Sequence, residues 1–198
     1  MRLEKLYLTN FKNYASAEVV LKGNIHCLLG KNGSGKTNLL DAIYYLSMTR
    51  GAVHSHDPSS IREGENFFSL RGEFEKGGKS AAVLVTYALP KKKTVASDGK
   101  EYQRFSEHIG KYPLVLVAPN DVDVIAGGGE ARRRFFDTLL SQVDPSYLQQ
   151  LIVYQAQLRQ RNSLLRTFAE RGTRDADLVA TYDEKLVSAG LILYEKRK

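Results

Sequence analysis

The stretch Gly30-Lys31-Asn32-Gly33-Ser34-Gly35-Lys36-Thr37 constrains this chain more than any other. It fits G-x-x-x-x-G-K-[ST], follows an apolar run at 25–29, and leads into Leu39, Leu40, Ile43 and Tyr44 at helical spacing. A short buried strand, a glycine-rich loop and a helix in that order form a cradle for phosphate. Gly30, Gly33 and Gly35 let the backbone turn tightly and bring its N–H groups to phosphate oxygens without a Cβ clash. Lys36 offers a point charge to the β- and γ-phosphates, and Thr37 offers a hydroxyl to Mg²⁺. The positive end of the helix faces the anion. All eight residues are candidate nucleotide ligands, with Lys36 the catalytic candidate; ATP and Mg²⁺ are the expected ligands.

The rest of the chain narrows the class. Residues 3–8 read as a first strand, and 68–74 and 82–89 alternate apolar and polar around the turn "EKGGKS", predicting an antiparallel hairpin. "SDGK" at 97–100 signals another. "PLVLVA" at 113–118 reads as a strand buried on both faces. A glycine turn then precedes a helix over 131–140. Asp144 and Pro145 cap a long helix, and a further helical pattern runs from beyond Gly172-Thr173 to Lys198. The layout is an α/β lobe over 1–130 followed by the start of a helical arm over 131–198.

With 198 residues and 42% hydrophobic content the chain can bury a core, and no apolar run is long enough to span a bilayer. The absence of a secretory segment and a single cysteine point to a reducing cytoplasm. Cys27, inside the strand before the loop, reads as a small buried hydrophobe. A net charge of +7 makes an anionic partner such as nucleic acid plausible.

Two P-loop classes compete. A small-molecule kinase would alternate strands with helices, which the hairpins argue against; an ABC/SMC-type lobe would dimerise around shared ATP. A nucleotide-dependent assembly module without DNA is a third option.

The series "LEKLYLTNFKNY", "GKNGSGKTNLLDAIYYL", "PLVLVAPNDVDVIAGGGEARRRFFDTLLSQVDPSYLQQL" and "YQAQLRQRNSLL" resembles the amino-terminal part of the RecF family of ABC/SMC-type ATPases, less clearly over 52–108. The resemblance implies ATP-dependent dimerisation and DNA binding at gaps or single-strand/double-strand junctions. It also implies work with RecO and RecR in loading RecA, in recombinational repair and the SOS response. It places the stretch Asn10 to Tyr14, Lys12 and Asn13 within it, near the nucleotide base, with Lys12 standing where relatives commonly carry arginine. It makes Asn120 and Asp121 part of a nucleotide-sensing loop, although relatives usually have a carboxylate where Asn120 stands. A second option for Asp121 is a magnesium-holding carboxylate at a strand end. The acidic strand end that orients water and the serine-glycine signature belong to the carboxy-terminal half of such proteins. That half is expected to lie beyond "EKRK", leaving this chain the binding half of the site.

Other clusters carry two readings each. Arg132, Arg133 and Arg134 can meet DNA phosphates or form a solvated helix face, with Phe135, Phe136, Leu139 and Leu140 packing inward. Three consecutive helical residues fan around most of a turn, so they cannot all face one groove. Arg159, Arg161, Arg166 and Lys91-Lys92-Lys93 are further basic candidates. His54-Ser55-His56-Asp57 holds zinc-type ligands but lacks a fourth partner nearby, which favours a plain loop. Tyr147, Leu148, Leu151 and Ile152 read as core of the arm.

Overall fold

A computed structural model describes residues 1–52 and 56–198. These form two compact units, Met1–Leu116 and Val117–Lys198.

The first unit is built on strand alternation. β1 (Arg2–Phe11) lies between β2 (Tyr14–Val20) and β3 (Phe67–Lys76); β4 (Lys79–Ala88), β5 (Lys92–Ser97) and β6 (Lys100–Glu101) follow. All pairs are antiparallel, in the order β2-β1-β3-β4-β5-β6. Register places Leu8, Leu70, Val85 and Val95 in one row across four strands, none more than 1% exposed. Onto this face packs α1 (Lys36–Met48), whose Leu39, Ala42, Tyr45 and Leu46 recur at the helical period. Phe68 sits at the centre, its ring 5.3 Å from both Phe11 and Tyr45 in edge contact. Each fully buried side chain of this kind contributes about 1.5–3 kcal/mol. Gly72 leaves room under the Leu46 side chain of α1. A Cβ there would lie 2.7 Å from Leu46 Cδ1 and 2.8 Å from Phe74 Cε2.

The α/β class and both hairpins match the expectation, with two-residue turns at Gly77-Gly78 and Asp98-Gly99. β2 is an addition. Its alternation is weak, because an edge strand exposes side chains on both faces.

Two expected strands are corrected. Residues 25–29 and 113–118 lie in no sheet or helix. Ile25 and Leu29 are 87% and 90% exposed, and Val115 is 69% exposed. Cys27, expected to be buried, is exposed as well. An apolar run records the surroundings a segment needs, whereas a ladder needs a neighbouring strand, and no described strand lies beside either segment. Leu28 alone of residues 25–29 packs against the core.

The second unit is helical: a short α2 (Asp123–Ala126), then α3 (Gly129–Val143), α4 (Pro145–Arg171) and α5 (Ala176–Arg197). Asp144 accepts from the N–H groups of Ser146 and Tyr147 and so starts α4, as its position before Pro145 predicts. Asp175 starts α5 by accepting from Leu178 N–H. Tyr147 is fully buried and donates to Asp137, which also takes two bonds from Arg197 at 2.7 and 2.9 Å. That knot joins α3, α4 and α5. Burial comes first among the causes that push the Tyr147 hydroxyl up to about 12, followed by its bond to Asp137. Phe136, expected to pack inward, is 44% exposed, and so is Ile152 at 43%. The helices bury a narrower stripe than the run of apolar residues implies. Among the described residues no helix is long and apolar enough to cross a membrane.

Candidate nucleotide-binding site

The loop over 30–35 follows the irregular segment 25–29 and turns straight into α1. Gly35 adopts φ +103°, a conformation that side chains rarely tolerate, and precedes the first helical residue, Lys36. Its carbonyl accepts Leu39 N–H at 2.9 Å, opening the helical ladder. No described side chain caps α1, and its first turn has no acidic residue. The helix therefore presents first-turn N–H groups and partial positive charge with nothing of its own to neutralise them.

Lys36 folds back across the loop. Its ammonium donates to the carbonyls of Gly30 and Lys31, both at 2.8 Å. Those bonds close the loop into a ring around the start of α1 and hold the charge at its mouth. Thr37 is exposed on the first turn. Magnesium takes only one or two protein oxygens beside phosphates and water, so a single hydroxyl here fits its needs.

The β1–β2 turn lies against this loop. Lys12, expected near a base, pairs with Asp41 of α1 at 2.6 Å, both side chains being 10% exposed or less. Asp41 also accepts from Ala52 N–H at 2.6 Å. Asn13 accepts from the Asn38 side chain at 2.8 Å, and the Tyr14 hydroxyl donates to the Gly35 carbonyl at 3.2 Å. Asn38 and Asp41 escaped the sequence reading, whereas Tyr14 lay within the stretch expected near the base. A carboxylate in the apolar series "NLLDAIYYL" was the available signal.

The remaining candidates are scattered. Asn120 stands in a short 3-10 turn, Pro119–Val122, and the Asp121 carboxylate closes that turn by accepting from Ala118 N–H at 2.6 Å. Arg132 donates to the Ile125 and Gly127 carbonyls around the end of α2, Arg134 pairs with Glu130 at 3.0 Å, and Arg133 is exposed. Arg159 and Arg166 are exposed, while Arg161 pairs with Asp183.

Of the lysine run, Lys91 and Lys92 are exposed. Lys93 is instead largely buried against Asp57, 3.0 Å from each carboxylate oxygen. Burial lowers the Lys93 pKa against the opposing pull of Asp57. Tyr45 donates to the same carboxylate, and burial first, then that bond, raises its pKa. His54 and Ser55 lie outside the described residues. Among those described, no group of three or more His, Cys, Asp or Glu could hold a metal.

A phosphate loop braced by its own lysine, set between an antiparallel sheet and a helix, defines a P-loop ATPase lobe. The match to the AAA ATPase domain family runs over residues 1–171, and the chain belongs to that family. It is also similar to the DNA replication and repair protein RecF of Flavobacterium johnsoniae, with 42% identity over all 198 residues and 55% of that protein. Among solved structures, that of the recombination mediator protein RecF–ATP matches with TM-score 0.89 and 28% identity, over 98% of this chain and 52% of that one. The SMC head domain from Thermotoga maritima shares the fold at TM-score 0.51 and 22% identity, over 71% of this chain and 56% of that one. The chain thus matches the amino-terminal part of RecF and spans about half the length of such relatives.

Proposed function

We propose that this chain is the ATP-binding amino-terminal half of a RecF-like DNA-repair ATPase. The observation that carries it is the loop over 30–37 closed by the Lys36 bonds to Gly30 and Lys31, in a chain whose whole length aligns with RecF. Backbone N–H groups after Gly33 and Gly35 would seat the phosphates, and Lys36 would neutralise their charge. The Thr37 hydroxyl would hold magnesium, which supplies further charge neutralisation when bound. The exposed apolar segments 25–29 and 113–118 support a lobe completed by strands outside these residues. The carboxylates that orient water and the serine-glycine signature would belong to that remainder, so this chain binds ATP and turns over little of it. The whole protein would dimerise on ATP, clamp DNA at gaps or junctions, and work with RecO and RecR in the cytoplasm.

The test is a labelled-ATP assay on these 198 residues with Mg²⁺, reading bound ATP and released ADP together. Binding should weaken roughly 10- to 100-fold in Lys36→Ala, the loss of charged hydrogen bonds. Failure of the unaltered chain to bind, or equal binding by the variant, refutes the proposal.

A further inference from the structure

Three successive residues of the β1–β2 turn grip one side of the α1 start. Lys12 holds Asp41, Asn13 holds Asn38, and Tyr14 holds the Gly35 carbonyl. Their partners recur every three residues and so share a helix face; Lys36 lies off that face, and Thr37 sits at its edge, one turn before Asp41. The contact is close: a Cβ on Gly35 would lie 2.6 Å from Asn13 Nδ2 and 3.0 Å from the Tyr14 hydroxyl oxygen.

The Gly35 carbonyl is the acceptor that opens the helical ladder through Leu39 N–H. A donor on that carbonyl therefore fixes the peptide from which Lys36 and the first-turn N–H groups project. All three side chains of the turn are engaged by α1 and its leading glycine.

We propose that Tyr14 and Asn13 are positioning residues for the phosphate loop, setting nucleotide affinity through the phosphate chain and not through the base. This rests on the nucleotide-site reading above. Tyr14→Phe removes only the hydroxyl and keeps the ring, which packs against the core. Calorimetry with Mg·ATP and with Mg·tripolyphosphate gives the test.

Tyr14→Phe should weaken both ligands by the same factor, about 3- to 10-fold for one lost hydrogen bond, at unchanged stoichiometry. Asn13→Ala should do the same. Weakening confined to ATP would place these residues at the base and overturn the proposal. Equal affinity with fewer competent sites would reduce their role to folding and overturn it too. If the unaltered chain binds neither ligand, the nucleotide site falls, and the positioning role with it. If it binds and Tyr14→Phe binds equally, only the positioning role falls.

Discussion

Removing Lys12 should destabilise the first unit far more than an exposed lysine would. Its ammonium and the Asp41 carboxylate are 2.6 Å apart, with side chains 10% and 1% exposed. Taking two ions out of water is costly, and their attraction offsets that cost only while both are present. Lys12→Met would leave a buried carboxylate without its cation, with Ala52 N–H still donating to it. Breaking such a pair costs about 3–5 kcal/mol, against roughly 0–1 kcal/mol for a surface pair.

Asp41→Leu should cost a similar amount. Together they should cost only about 1–2 kcal/mol, because no ion remains buried and the Ala52 N–H loses one acceptor. The cycle therefore predicts a coupling of at least about 4 kcal/mol. Urea unfolding, followed by hydrogen exchange of β1 and α1 amides, confines the measurement to the first unit. A Lys12→Met loss below about 1 kcal/mol, or a coupling near zero, would refute the argument.

Other consequences follow from single contacts. Gly72→Ala should cost about 1–3 kcal/mol by displacing the packed Leu46 and Phe74 side chains, measured as a lowered urea midpoint at constant slope. Burial lowers the His108 pKa below its usual 6.5, against a bond between Nε2 and the Leu46 carbonyl at 2.7 Å. The unfolded state then takes up the proton first, so this contribution is complete above about pH 6.5 and is lost as pH falls through the folded value. Stability measured against pH should decline below that point, and His108→Gln should flatten the decline; an unchanged slope in the variant would assign it elsewhere.

Much of this protein was legible locally. The glycine-rich loop, the hairpins at Gly77-Gly78 and Asp98-Gly99, and the cap at Asp144 depend on turn chemistry and periods that neighbours in sequence set. Tertiary structure decided the partners. Nothing local tells Lys12 that Asp41, 29 positions away, lies within reach. Nor does it turn Arg132 to the carbonyls of α2, or bury Lys93 beside its exposed neighbours Lys91 and Lys92. The runs at 25–29 and 113–118 show the same limit, since apolar composition signals a demand for burial and only a strand alongside can meet it. Sequence alone therefore determined where the glycine-rich loop turns into α1. The packing of the β1–β2 turn on α1 decided which side chains hold the holder, because ion pairs and long-range hydrogen bonds are chosen by proximity after the core has formed.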